Sequence, residues 1–544
     1  MVVPATVKRI RYLLVKYYHG EVYARSKHNC NPMTPKELLS LKTVGALRET
    51  GYNVLPVKDE MRNNLITRLK NRDELFPGIL GYEDTVVPSL VNAILSKHDI
   101  ILLGLRGQAK TRIVRMLPTL LDEYAPIIKG SELNESPFYP ITKYAVDLVV
   151  EHGDETEIEW IPREQRYGEK LATPDVTIAD LIGDIDPIKA AAQRLHYSHE
   201  GAIHFGLIPR TNRGVFAINE LPDLQPRIQV GLFNIMQEKD IQIRGFNVRI
   251  PLDVVVVFTA NPEDYTNRGN IITPLKDRID SQILTHYPED IEHAIQITAQ
   301  EAWVSRNHES DIFIPPYFKE IIEMTAFQAR KSEFVDQQSG VSARLTISAM
   351  ENLISNAERR SIESDDKVVM PRICDLLRTL PSMTGKLELV YEGEQEGTVK
   401  VSKLLIGQAI RKVFSDYFPD PLHKQKKLKI QREESRESKT HSDPVYGQII
   451  EWFEQGNAIS LSDDLPIDEY YDELIRVKGL LELTRKHMKF ERNDKYEMAS
   501  AMEFVLEGLH QHSRIAKGEA EGAISYRDMV GTLFTSIPDD DEDF

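Results

Sequence analysis

Three short runs of nearly continuous apolar residues punctuate the first half of the chain: DIILL at 99–103, GVFAI at 214–218 and VVVVFTAN at 254–261. Runs this short and rich in branched side chains are expected of strands buried on both faces, because polar alternation disappears when neither face meets water. Helix-like segments separate them, so the pattern predicts an α/β domain with a parallel sheet and helices on both faces. In such sheets ligands sit at the loops leaving the C-terminal ends of the strands. Ahead of the strands, residues 34–75 read as helical. TPKELLSLK sets Thr34 and Glu37 at capping-box spacing, and VKDEMRNNLITRLKNRDELF is amphipathic. Beyond 289 no comparable strand appears, and FKEIIEMTAFQARK and TISAMENLISNAERRS predict a helical lid. HKQKKLKIQREESRESKTHSDP (423–444) is almost wholly polar, an exposed helix or flexible linker, and 446–536 reads as amphipathic helices before an acidic PDDDEDF end. The pattern therefore divides the chain into a helical segment (1–75), an α/β domain with insertions (76–288), a helical lid (289–418), a charged linker (419–445) and a C-terminal helical domain with an acidic tail (446–544).

The length of 544 residues agrees with several units at roughly 150 residues per domain. A formal net charge of -17 repels nucleic acid and anionic membranes unless a local basic patch intervenes, so nucleic acid is not an expected partner. The KQKKLKI cluster has no interleaved aromatic residue on which a base would stack, and reads as solvated linker. Two distant cysteines, Cys30 and Cys374, offer neither a disulfide framework nor a cysteine zinc site, which points to a reducing cytoplasm. The basic N-terminal stretch has an apolar run, Tyr12 to Val15, too short for a signal-peptide core, and no stretch approaches the roughly 20 apolar residues of a membrane span.

Chemistry concentrates in ILLGLRGQAKTRIVRML, 101–117. A phosphate-binding loop presents successive backbone N–H groups, a lysine for the terminal phosphates and a hydroxyl for magnesium. Gly104, Arg106, Gly107, Gln108 and Ala109 form such a loop, with Lys110 and Thr111 in the last two roles, between an apolar strand and a helix expected over Arg112–Leu121. Ala109 stands where the pattern has glycine, and its methyl fits only if its backbone avoids the left-handed region. A glycine-containing turn with a chance Lys-Thr is the competing reading.

Three further positions fit ATP hydrolysis with magnesium. Asn219 and Glu220 follow GVFAI where an acidic pair would support the metal and activate water. Glu220 suits the second role, whereas Asn219 is a neutral amide that accepts a hydrogen bond from metal-bound water without adding charge. Alternatively Asn219 caps a helix. Asn261 closes VVVVFTAN and would orient the attacking water, or else starts a turn before Pro262. Arg278 in LKDRID would stabilise phosphoryl charge, from a neighbouring subunit in ring-shaped ATPases, or be an exposed ion-paired residue. Arg344, opening a lid helix, would reach the same nucleotide.

In this order the residues resemble the AAA+ ATPases of the MoxR and magnesium-chelatase I-subunit group. GLRGQAKT is similar to the MoxR loop, in which alanine before the lysine is common. LIGDIDPIKAAA, GAIHFGLIPRTNRGVFAINELPDL, GLFNIMQEKDIQIRG, FTANPEDY and LKDRID resemble the chelatase subunit from its helix 2 insert to its arginine finger. The resemblance covers about 78–350 and implies a P-loop AAA+ fold. It implies Lys110 and Thr111 on ATP and Mg2+, Glu220 as the water-activating base, Asn261 as first sensor, Arg278 as finger and Arg344 as second sensor. It further implies a hexameric ring, a von Willebrand factor A domain partner and ATP-driven remodelling of a protein. Lys110 and Glu220 are separated by 110 residues, room for family insertions, here IIKGSELNESPFYPITKYAVDLVVEHGDETEIEWIP. Asn219 departs from the family's aspartate, so turnover is expected to be weak. Two alternatives follow: an ATP-controlled scaffold with negligible hydrolysis, and a sigma-54-type transcriptional activator, although its G-A-F-T-G-A loop is missing. His196, His199 and His204 lack the pattern of a metal site, and YEGEQEG (391–397) reads as a surface loop.

Overall fold

The computed structural model describes residues 35–192, 200–243, 249–261, 270–306, 311–421, 445–520 and 522–529. Thr34, Cys30, His196, His199 and the 423–444 stretch lie outside them. The chain divides into two compact units, Met1–His286 and Tyr287–Phe544.

The first unit is built on five parallel strands: β1 (Ile100–Leu103), β2 (Tyr167–Leu171), β3 (Gly214–Asn219), β4 (Val254–Ala260) and β5 (Ser281–Leu284), in the order β5-β1-β4-β3-β2. The expected parallel α/β sheet with helices on both faces is present. The three apolar runs are the central strands β1, β3 and β4, and every residue of β3 and β4 is buried. Period-two geometry sorts their side chains between two cores. Ile101, Phe216, Ile218, Val256 and Phe258 belong to one, under the short helices Pro226–Gly231 and Phe233–Gln237. Ile100, Leu102, Val215, Val255 and Val257 belong to the other, under helices Val57–Asn71 and Val86–Leu95. Arg166, 1% exposed, ties the sheet to helix Val57–Asn71: its guanidinium donates to both oxygens of buried Glu60 at 2.7 Å and to the Arg213 carbonyl.

Within the expected insertion, Tyr124–Ile128 pairs antiparallel with Ile158–Pro162, and helix Lys143–His152 lies between them in sequence. The helix after the phosphate loop is shorter than expected. It spans Lys110–Met116 and tightens to a 3₁₀ turn at Leu117–Leu120, because Pro118 supplies no backbone N–H.

The second unit is largely helical. Helices Pro316–Ala329, Arg344–Ser364, Thr398–Tyr417 and Lys495–Gln511 contribute to one apolar core containing Phe318, Leu353, Phe414 and Phe504. The all-helical expectation for 446–536 is corrected by an antiparallel sheet of β6 (Ile459–Ser462), β7 (Ala516–Ala520) and β8 (Ala523–Arg527), in the order β6-β8-β7. Buried Ile459, Leu461, Ile524 and Tyr526 alternate with more exposed neighbours, a period-two signal too short to stand out among amphipathic helices. Tyr391–Glu396 is likewise a short helix and not a loop, ended by Gly397 at φ 85°. No helix among the described residues is long and apolar enough to cross a membrane.

Candidate nucleotide site

The C-terminal ends of β1, β3 and β4 bring Gly104, Glu220 and Asn261 to one edge of the sheet. Gly104 is there because nothing larger fits: an added Cβ would stand 1.9 Å from Thr285 Oγ1 and 2.2 Å from Gln108 Oε1. Its N–H donates to the Ala260 carbonyl at 3.2 Å, and Thr285 N–H donates to the Leu103 carbonyl at 2.7 Å, so the loop leaves β1 clasped between β4 and the end of β5. Buried Gln108 accepts from the Thr285 hydroxyl at 2.7 Å, and Tyr82 Oη lies 3.0 Å from the Gln108 carbonyl. These contacts fix the loop's shape, while Arg106 remains exposed and Gly107 takes φ 73°.

Ala109 contradicts the condition set for it. Its φ of 54° and ψ of 12° lie in the left-handed region, where Cβ crowds the following carbonyl. The exposed methyl meets no packing obstacle, so the cost falls on the backbone alone.

Lys110 is 7% exposed and turned inward. Its ammonium donates to the carbonyls of Gly104 (2.5 Å) and Leu105 (2.9 Å) and to Asn261 Oδ1 (2.7 Å). Asn261 in turn donates through Nδ2 to Glu220 Oε2 at 2.8 Å. Glu220 holds a left-handed backbone, φ 55° and ψ 51°, and its N–H donates to Thr259 Oγ1 at 3.2 Å. The Thr259 hydroxyl lies 3.2 Å from Asn219 Oδ1, to which it donates. A continuous path of hydrogen bonds therefore runs Lys110–Asn261–Glu220–Thr259–Asn219.

Lys110 is thus buried and held by its own loop and by Asn261. Asn219 is the last residue of β3, not a helix cap, since its side chain faces Thr259 and the following 3₁₀ turn, Leu221–Asp223, starts after Glu220. The Asn261 side chain is committed to Lys110 and Glu220. Thr111 is exposed at the second position of its helix. Arg278 is not on the path: its guanidinium donates to Gln237 Oε1 (3.1 Å) and the Pro274 carbonyl (2.7 Å) and stacks 4.6 Å from the Phe233 ring centroid. Arg344 is exposed at the start of its helix in the second unit. His204 is exposed beside Arg210, with ring Nε2 at 3.2 Å from the guanidinium. Thr259 and Thr285 were not singled out from the sequence. A lone hydroxyl inside the otherwise apolar VVVVF-T-A run was the available signal for the first.

A family model described as "Sigma-54 interaction domain" matches residues 196–283, a stretch that holds Asn219, Glu220, Asn261 and Arg278 but not the phosphate loop. No curated protein matches the chain. Among solved structures, NtrX from Brucella abortus is similar at 13% identity and a TM-score of 0.31, over 59% of this chain and 63% of that one, so the chain spans under two thirds of that relative. NtrX in complex with ATP is similar at 12% identity and a TM-score of 0.37, over 70% and 73%. A chain from the complex between subunits BchI and BchD of magnesium chelatase is similar at 20% identity and a TM-score of 0.31, over 59% and 98%. Scores this low bear on neither activity nor assembly. The matched stretch lies within the first unit, whose sheet runs β5-β1-β4-β3-β2, and is what this chain is similar to.

Proposed function

We propose that the chain binds ATP on the loop Gly104–Thr111, hydrolyses it with Glu220 as base, and uses the cycle to remodel or activate a protein partner in the manner of MoxR and magnesium-chelatase-like AAA+ proteins. The observation that carries this reading is the path from Lys110 through Asn261 to Glu220. A terminal phosphate held by that lysine stands beside both a water-orienting amide and a water-activating carboxylate.

An arriving phosphate competes with the Gly104 and Leu105 carbonyls and with Asn261 for the ammonium protons, and wins because an anionic oxygen is the stronger acceptor. Asn261, freed from the lysine, orients a water while Glu220 accepts its proton. The water oxygen bonds to the terminal phosphorus, the bond to the ADP oxygen breaks, and ADP and inorganic phosphate leave. The residues that would hold Mg2+ are Thr111, through its hydroxyl, and Glu220, with Asn219 adjacent. Asn219 Oδ1 already accepts from Thr259, so the set fits magnesium with one carboxylate fewer than an acidic pair offers. When bound, the ion supplies neutralisation of phosphate charge. In this reading Arg278 acts across a subunit boundary in a hexameric ring, Arg344 senses nucleotide from the lid, and a von Willebrand factor A domain protein in the cytoplasm is the partner.

Steady-state phosphate release by the full chain across a magnesium titration tests it. Glu220→Gln should lower release by about 100-fold or more while ATP still binds, and Asn219→Asp should raise it. Wild type that binds ATP but releases no phosphate overturns hydrolysis and leaves the ATP-controlled scaffold, which gel filtration with and without ATP would then show. A sigma-54-type activator is a second reading favoured by the matched family model. Absence of nucleotide-dependent binding to sigma-54 polymerase would sink it.

A further inference from the structure

We propose that Thr259 is a positioning residue for this site, and that it turns the Asn219 amide so that Asn219 faces the phosphates as a hydrogen-bond donor and not as support for the metal. The inference rests on the ATPase reading above, which it deepens.

The Thr259 hydroxyl is 1% exposed and has one proton to give. One lone pair is occupied by the Glu220 N–H at 3.2 Å, and Asn219 Oδ1 stands 3.2 Å away as an acceptor. If the Asn219 amide were flipped, its NH2 would meet the hydroxyl and the buried proton would be left without an acceptor. Leaving a buried polar group unpaired is the unfavourable alternative, so the hydroxyl selects the orientation. Asn219 is 8% exposed at the strand's C-terminal edge, and with Oδ1 turned to Thr259 its Nδ2 is the end that faces away from that hydroxyl. An amide NH2 donates and cannot accept from metal-bound water. An aspartate would satisfy Thr259 with one oxygen and keep a second, negative one for the metal. Thr259 thus sets two things at once: the strained backbone of Glu220 and the polarity of position 219.

The test uses the full-length protein with Thr259→Val, Thr259→Ser and Asn219→Asp, reading phosphate release and the affinity of a fluorescent ATP analogue with and without Mg2+. Thr259→Val should lower kcat by about tenfold or more, with KM for ATP little changed, because the alignment of Glu220 is lost. Thr259→Ser should restore it. The effect of Mg2+ on analogue affinity should be about tenfold or more larger in Asn219→Asp than in wild type, equivalent to about 1.4 kcal/mol. Thr259→Val, which frees the amide to turn its oxygen outward, should move towards the aspartate behaviour. Unchanged kcat in Thr259→Val, or no gain in Mg2+ dependence in Asn219→Asp, overturns the proposal. If wild type binds the analogue but hydrolyses nothing, the ATPase reading fails while the Mg2+ arms still decide this one. If Thr259→Val does not fold, the serine and aspartate variants decide it.

Discussion

Ala109→Gly should stabilise the first unit, which is the reverse of the usual effect of introducing glycine. At φ 54° and ψ 12° the alanine sits where a left-handed backbone costs an L-residue about 1–2 kcal/mol. Glycine removes that cost but loses about 0.5–1 kcal/mol of extra chain entropy on folding. The methyl is exposed, so no packing term enters. The balance favours glycine by about 0.5–1 kcal/mol. Amide hydrogen exchange of peptides covering Ile100–Leu103 and Val254–Ala260, whose buried backbones open only with the sheet, should slow by about two- to fivefold. Ala109→Val, with a branched side chain on the same backbone, should speed it. Unchanged or faster exchange in the glycine variant, with valine silent, would refute the strain argument and with it the claim that alanine is tolerated at a cost.

Two further outcomes follow from buried charges. Arg166→Met leaves Glu60 buried without its guanidinium and should destabilise the first unit by about 3–5 kcal/mol in urea unfolding, with much of the loss recovered when Glu60→Gln is added. Recovery of nothing would show that the arginine's packing, not its charge, is what matters. In the second unit burial pushes the carboxyls of Glu323 and Glu503 up to about 7, although the Thr298 hydroxyl, and the Tyr470 hydroxyl and Ile373 N–H, respectively, partly oppose this. Their folded values exceed the unfolded ones, so their stabilisation is complete below pH of about 4.5 and is lost as pH rises to about 7, by an amount on the order of 1–3 kcal/mol each. Glu503→Gln should flatten the pH dependence of urea unfolding across that window, and identical slopes would refute the assignment.

Local composition was enough to find the three central strands, but not the edge strands β2 and β5, whose mixed residues carry no continuous apolar run. β1, β3 and β4 are legible because strands buried on both faces must be apolar throughout, and no partner needs to be known for that. Lys110, Glu220 and Asn261 are legible because polar residues directly after such strands fall at the edge where ligands bind. The small sheet of the second unit was not legible, since β6 lies far from β7 and β8 in sequence and each is too short to show its period against neighbouring helices.

What the amino-acid order by itself determined is which residue types stand at the ends of the strands: a lysine and threonine after β1, an amide closing β3 with a carboxylate after it, an amide after β4. Only the tertiary structure decided how they are used. The inward-facing Lys110 and the Thr259 hydroxyl shared between Asn219 and Glu220 depend on distances between strands that are neighbours in the sheet but about 40 to 150 residues apart in the chain. Residue type follows from local sequence, but a hydrogen bond's direction depends on which donor and acceptor the fold brings within reach.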